Sequence, residues 1–348
     1  MYLKEIEIIN YRLHNSLKIG PLAQTNLLLG NNGQGKSSAL EAIHLLFGVR
    51  RAANEEIISF GQEQAVVRGR LLLDNQDREI SVCVYKNKTK TIKVDKKEAK
   101  KTPEKLKTVL FNPDDTQALK QGPGRRRELI DEIMGQIDHK HTYWLNQYNA
   151  NLRQRNALLK SPNASHQSLE AFSQKLVEAA EKVINGRLVA IKEATPLYNK
   201  YHQKISGNNK RAELKYQTSL DTKDIKGSLV LRLKETRQEE AARRQTLAGP
   251  HLDDIIFFEE GINIKKFGSQ GEKKTAALSI RLAQYELIKK KLGAHPVVLL
   301  DDLVSELDAG RRARLLGAPR GAGQVIISST DEEITAEEGD GKVAIHRL

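Results

Sequence analysis

Apolar and polar residues alternate in short runs through the first third of the chain. Leu3 to Ile9 and Asn26 to Leu29 are apolar-rich, and VVRGRLLL (66–73), EISVCVY (79–85) and TKTIKV (89–94) follow, with Asp74, Asn75 and Asn87 in the gaps. This pattern predicts strands, interrupted by one helix from Ser37 to about Gly48. From about Asp114 to Gln245 apolar positions recur every three or four residues, as at Leu129, Ile130, Ile133, Met134 and Ile137. That spacing predicts long helices, with breaks near Ser161-Pro162-Asn163, at Pro196 and through Gly207-Asn208-Asn209. After Gly249-Pro250 strands resume with IIFFEEGINIKK. A helix from Gly271 to Leu292, a strand Val297 to Leu300, a helix over about 308–317 and a strand Val325 to Ser328 complete the pattern. The order predicts an α/β head of residues 1–112 and 246–348, split by a helical second lobe, 113–245.

Composition narrows the class. The 348 residues are 39% hydrophobic and 29% charged, enough for a sizeable core and unlike a disordered chain. No apolar run approaches the roughly 18 residues of a spanning helix, and MYLKEIEIIN lacks the basic-then-apolar pattern of a signal peptide. A cytoplasmic protein without a membrane partner is expected. The one cysteine, Cys83, excludes an internal disulfide framework and a Cys-rich zinc site, and is read as a buried strand residue. His139, His141, His202 and His251 show no metal-ligand spacing. The net charge of +13 is uneven: residues 1–111 carry +7, 112–245 carry +8, and 246–348 carry −2. A basic excess confined to part of the chain suits a polyanionic partner, because neutralised phosphates release counterions.

Gly30-Asn31-Asn32-Gly33-Gln34-Gly35-Lys36-Ser37 fits the P-loop pattern G-x-x-x-x-G-K-[ST], after the strand NLLL and before the helix SSALEAIHLLF. Its backbone N–H groups, with Ser38 on the following turn, would cradle phosphates at a helix N-terminus. Lys36 would reach the β- and γ-phosphates of ATP, and the Ser37 hydroxyl would bind Mg²⁺. Val297-Val298-Leu299-Leu300-Asp301-Asp302 reads as a buried strand ending in two acids, a Walker B segment. Asp301 would hold Mg²⁺ and Asp302 would orient the attacking water. Ser269-Gln270-Gly271-Glu272 opens a helix about thirty residues upstream.

At that distance Ser269, Gln270 and Gly271 occupy the place of the signature motif of ABC-type ATPases, and Ser305-Glu306-Leu307-Asp308 resembles their D-loop. The family's signature serine closes on the γ-phosphate held by another subunit's P-loop. One P-loop and one signature per chain therefore imply a head-to-tail homodimer around two ATP molecules. Asn10-Tyr11-Arg12, GNNGQGKSSALEAIHLL, Phe111 to Leu119, Gly124-Arg125-Arg126-Arg127, Ala248-Gly249-Pro250-His251-Leu252-Asp253-Asp254, Phe267 to Gly271 and LLLDDLVSELD follow the order of the RecF family. These are bacterial recombination mediators related to the structural-maintenance-of-chromosomes ATPases.

The resemblance implies an ATP-dependent DNA-binding protein with weak, DNA-stimulated ATPase activity that recognises single-strand/double-strand junctions at gaps. It also implies work with RecR and RecO in loading RecA, and support of the SOS response. Arg12 resembles a nucleotide-contacting arginine. Gln117 lies at the place of the Mg²⁺-linked Q-loop, with Asp114 or Asp115 as alternatives, and Thr330 at the place of the switch residue, with Ser329 as alternative. Three features depart from the pattern. Glu272-Lys273-Lys274 stands where the family commonly has glutamines followed by arginine, and Leu252 replaces a usual arginine. Asp302 replaces the glutamate of many ABC ATPases. One methylene shorter, its carboxylate sits about 1 Å from the ideal water position, a displacement worth on the order of 100-fold in rate. Slow hydrolysis is expected.

DNA-contact candidates are Lys86, Lys88 and Lys90, in a stretch (86–107) with ten lysines against three acids, and Arg125, Arg126 and Arg127. The competing reading is another ABC-type ATPase, either a transporter cassette or an SMC-like chromosome protein. The helical insert and the basic bias disfavour a cassette.

Overall fold

The computed structural model describes residues 1–49, 53–161, 165–302, 309–316, 323–330 and 343–348. Strands β1 (Tyr2–Tyr11), β2 (His14–Ile19) and β3 (Thr25–Leu29) lead into helix α1 (Lys36–Leu46) and the short α2 (Asn54–Ile57). Strands β4 (Gln64–Leu73), β5 (Gln76–Tyr85), β6 (Thr91–Val94), β7 (Lys97–Ala99) and β8 (Thr108–Phe111) follow. Helices α3 (Asp114–Lys120), α4 (Pro123–Ile137), α5 (His139–Lys160) and α6 (His166–Ser206) come next, then β9 (Ala212–Gln217), α7 (Ile225–Glu235) and α8 (Arg237–Arg243). The chain continues through β10 (Asp254–Glu259), β11 (Ile262–Asn263), α9 (Ile264–Phe267), α10 (Gln270–Leu292), β12 (Val297–Asp301), α11 (Ala309–Leu316), β13 (Val325–Ser329) and β14 (Val343–Arg347).

Two compact units result. The first comprises Met1–Thr116, Lys204–Gly207 and Ala277–Leu348, and the second Gln117–Gln203 and Asn208–Ala276. The first unit holds an antiparallel sheet of order β2-β1-β4-β5-β6-β7 and a parallel sheet of order β14-β3-β13-β12-β8. The strands of the antiparallel sheet alternate: Ala65, Val67, Gly69 and Leu71 are buried on β4 while Arg68 and Arg70 are exposed. Helix α1 supplies Leu40, Ile43 and Leu46 to one apolar cluster that includes Ile6, Val67 and Ile80 of the antiparallel sheet and Leu110, Leu299 and Ile326 of the parallel one. Packing is close enough that a Cβ on Gly69 would lie 2.4 Å from the Leu46 side chain, so glycine sets the approach of α1 to β4.

In the second unit, Tyr148, Leu176, Val183, Ile184, Leu229 and Leu233 form a separate core. A buried ion pair, Arg155 Nη2 to Glu240 Oε2 at 2.6 Å, ties α5 to α8. β10 is the middle strand of a three-stranded sheet, β11-β10-β9.

Four sequence expectations change here. Pro196 was expected to break a helix, but α6 runs through it. The apolar stripe of α6, buried at Leu176, Val183, Ile191 and Tyr198, compensates the hydrogen bond that proline removes. The block expected to be all helix contains β9, whose alternation at Ala212, Glu213 and Leu214 is too short to stand out beside long helices. Because β9 pairs with β10 from Asp254↔Gln217 to Glu259↔Ala212, residues through Ala276 group with the second unit, whereas 246 was expected to return the chain to the head. Cys83 lies on β5 as expected, half-buried instead of buried.

Candidate nucleotide site and the basic motifs

The carboxyl ends of β3, β13 and β12 lie side by side, because the parallel register sets Ser329 against Leu29 and Ser328 against Asp301. In open α/β sheets ligands bind at this edge. Gly30 to Gly35 leave β3 and enter α1 there. Gly33 and Gly35 have φ of +85° and +89°, and a Cβ on Gly35 would lie 2.5 Å from the His14 ring, whose Nε2 is 2.9 Å from the Gly35 carbonyl. Both conformation and space therefore require glycine at 35. Gln34 closes the loop by accepting the Asn31 N–H, while Asn31 and Asn32 are exposed and Ser38 is buried in α1.

Lys36 is buried, and its Nζ donates to the carbonyls of Gly30 (2.9 Å) and Asn31 (3.2 Å), 4.0 Å from Asp302 Oδ2. The ammonium thus sits over the loop's concave face. Ser37 Oγ donates to Asp301 Oδ1 at 2.9 Å, and Ser328 Oγ donates to the same oxygen at 2.8 Å. Burial of Asp301 raises its pKa, opposed by these two hydroxyls. Asp302 has φ of +45°, and its N–H donates to Ser328 Oγ at 2.9 Å. Ser328 therefore positions both acids. Thr330 is exposed just beyond β13, and Ser329 is buried as its last residue. Arg12, with φ of +49°, is held by an ion pair of 2.6 Å to Glu41 of α1.

Other candidates fall elsewhere. Gln117 is exposed on α3 and belongs to the second unit. Asp115, one of its alternatives, is committed to a buried bidentate pair with Arg281 at 2.7 and 2.9 Å. Ser269 and Gln270 are exposed at the start of α10, with Gly271 half-buried after them. Ser269 Oγ and N–H both donate to Glu272 Oε2, at 2.9 and 2.7 Å, and the Glu272 N–H donates back to Ser269 Oγ at 3.2 Å. This is a reciprocal helix cap. The D-loop candidates Ser305 and Asp308 lie outside the described residues.

The arginine triplet requires a correction. Arg126 was a DNA-contact candidate, yet its side chain is 1% exposed. It bonds both oxygens of Asp254 at 2.7 and 2.8 Å and the carbonyls of Ala118 and Gln121. Arg127 is also turned inward, donating to the Asp253 carbonyl at 2.6 Å. A guanidinium with its donors already committed inside the protein does not read phosphate. Only Arg125 is exposed, beside Glu128.

The glycine-proline-histidine segment serves the same scaffold. Arg187 bonds the Pro250 carbonyl and both oxygens of Asp131, His251 Nδ1 pairs with Tyr148 Oη at 2.5 Å, and the Asp253 carboxylate accepts from Tyr216 Oη. Lys86, Lys88 and Lys90 are exposed at the β5–β6 turn. At the end of that lysine-rich stretch Lys107 is buried, and desolvation pushes its ammonium down to about 8, which removes it from the basic face.

His14 and Ser328 were missed in the sequence. Serine at the end of QVIIS carried a usable signal, since parallel pairing with the Walker B strand puts it beside Asp301. His14 carried none.

The family model described as "RecF/RecN/SMC N terminal domain" matches residues 2–346. The chain is 32% identical over 343 residues to the DNA replication and repair protein RecF of Clostridium perfringens, covering 97% of this chain and 95% of that protein. It is 34% identical over 349 residues to the RecF of Oceanobacillus iheyensis, covering 96% and 94%. Among solved structures it is similar to the recombination mediator protein RecF-ATP in the RecFOR pathway, with a TM-score of 0.87, 33% identity and coverage of 99% and 95%. A Smc head bound to the C-winged helix domain of ScpA shares the fold, with a TM-score of 0.51 at 17% identity and coverage of 97% and 91%.

Two outcomes follow from this geometry. Arg126→Ala leaves the Asp254 charge buried without its partner, and should lower unfolding free energy by about 3–5 kcal/mol. Arg125→Ala should change it by under about 0.5 kcal/mol. Urea denaturation measures both. The native state keeps the Asp301 proton to higher pH than the unfolded chain does. Its contribution is therefore full below the ordinary carboxylate range and is lost as pH rises through the raised value. Asp301→Asn should flatten that loss and add about 1 kcal/mol above it, read from denaturation midpoints across pH.

Proposed function

The chain belongs to the RecF family of DNA replication and repair proteins, and we propose that it is an ATP-dependent DNA-binding dimer acting at single-strand/double-strand junctions. The observation that carries this reading is the set formed by the P-loop, Ser37 and the buried Asp301; the helix start at Ser269, in the other unit, would serve the γ-phosphate of another copy. A RecF solved with ATP and placed by its description in the RecFOR pathway supports both the nucleotide and the pathway. On this reading the protein works with RecO and RecR in loading RecA and supports the SOS response.

The residues present fit a magnesium ion. Ser37 Oγ and Asp301 Oδ1 are hard oxygen donors 2.9 Å apart, the small protein contribution Mg²⁺ takes alongside phosphate oxygens and water. Desolvation of Asp301 favours occupation by a cation at neutral pH. These two residues would hold Mg²⁺, which supplies charge neutralisation at the phosphates when bound.

The chain's own groups do the rest. Lys36 Nζ leaves the Gly30 and Asn31 carbonyls for the β- and γ-phosphate oxygens, a short movement because it already lies over the loop. Backbone N–H groups of residues 31–38 cradle the phosphates, and Arg12, braced on Glu41, contacts the nucleotide from the β1–β2 turn. Asp302 orients water, its backbone fixed by Ser328, and Thr330 senses the γ-phosphate. The shorter acid makes turnover slow, so ATP times the dimer's lifetime.

Gel filtration tests the dimer. A shift to dimer mass is expected with ATP but not with ADP, and Lys36→Met should abolish it. A wild-type chain that stays monomeric with ATP would overturn the reading. For DNA, replacing Lys86, Lys88 and Lys90 together by alanine should weaken binding about equally across sequences. It should also lower the slope of log affinity against log salt by about 2–3. An unchanged slope removes the β5–β6 turn from the DNA face.

A further inference from the structure

The start of α10 carries a feature that the nucleotide chemistry does not use. Glu272 Oε2 takes both donors of Ser269, the hydroxyl and the N–H. Those bonds hold the Glu272 carboxyl below the usual range, so it is fully ionised at neutral pH. A single carboxylate thus already occupies the positive end of a helix of 23 residues. Ser269 has one hydroxyl proton to give. A γ-phosphate can accept it only when Glu272 does not, and two anions at one helix end repel.

The surroundings offer Glu272 another place. Lys210 Nζ is 3.8 Å from Glu272 Oε1 and 2.5 Å from Glu259 Oε1. Glu259 also meets the buried His202 at 3.1 Å. The ammonium therefore bridges one acid fixed in β10 and one at the helix cap. A rotation of the Glu272 side chain toward Lys210 frees Ser269 and keeps the carboxylate paired.

We infer that Glu272 is an internal stand-in for phosphate. It occupies the Ser269 donors, sets the ATP concentration at which two copies join, and passes to Lys210 when the γ-phosphate arrives. The inference rests on the role of Ser269 proposed above. It makes residue 272 a determinant of dimer affinity that touches no nucleotide itself. Glutamine at 272 retains the capping geometry without the charge, so the variant separates charge from fold.

The experiment measures the dimer fraction by light scattering against a slowly hydrolysed ATP analogue, for wild type, Glu272→Gln and Lys210→Ala. Glu272→Gln should lower the midpoint concentration by on the order of tenfold, the weight of one hydrogen bond to a charged group. Lys210→Ala should raise it several-fold. Binding of a fluorescent ATP analogue to the dilute monomer should be the same in all three. If wild type dimerises and Glu272→Gln has an equal or higher midpoint, the inference is overturned and the dimer stands. If wild type never dimerises, the dimer reading fails and the inference with it.

Discussion

Parallel pairing of β3, β13 and β12 brings three chain segments to one edge of one sheet. Leu29, Ser329 and the Ser328–Asp301 pair end level with one another, and the nucleotide site is made from what comes next on each strand. From β3 comes the glycine loop and Lys36, from β12 the two acids, from β13 the serine that hydrogen-bonds both acids. A slip of one residue in this register would turn Asp301 to the opposite face, away from Ser37 and onto the side where Val109, Phe111 and Ile327 lie. The apolar faces of these strands and of α1 make that slip costly, so packing in the core holds the chemistry at the edge. Burial has a second effect, since the environment that fixes Asp301 also disfavours its charge.

The second unit spends its arginines differently. Arg126, Arg127, Arg155 and Arg187 are all committed to carboxylates or carbonyls of the same unit. Arg126 and Arg127 of the triple arginine, which reads as basic in one dimension, and the glycine-proline-histidine run, which reads as a family motif, meet in one buried network. Such networks fix the mutual placement of helices α4 to α6 with the loop before β10, because each partner left alone would be a buried charge. Net positive charge is therefore a poor guide to where DNA lies. Among the lysines of the chain's basic stretch, Lys86, Lys88 and Lys90 of the β5–β6 turn are exposed.

Much of the first unit was legible. Period-two alternation located β1, β4 and β5 to within a few residues, and the P-loop spacing located α1 and the site's glycines. The Walker B strand was readable because, in a chain that carries a P-loop, four apolar residues followed by two acids mark a buried strand whose carboxylates end beside the loop. What escaped shares one property: it depends on partners distant in sequence. β9 is strand only because β10 lies beside it, and Pro196 is tolerated only because the flanking stripe is buried. Arg126 looks like a surface cation until Asp254, 128 positions away, supplies its partner. Glu272 was visible as a departure from the family pattern, and its cap on Ser269 is local; its neighbour Lys210, far away in sequence, was not visible.

The proposed function stands on ATP being sealed between the P-loop of one copy and the α10 start of another. Site-specific cross-linking addresses this directly, and the single native cysteine, Cys83, can first be replaced by serine. One chain then carries Gln34→Cys in the P-loop and a second carries Gln270→Cys at the start of α10, and a short bifunctional thiol reagent is added. A mixed cross-linked dimer should form with ATP and fall to background with ADP or without nucleotide. Cross-linking that ignores nucleotide, or that joins two Gln34→Cys chains as readily as a mixed pair, would contradict the sealed dimer.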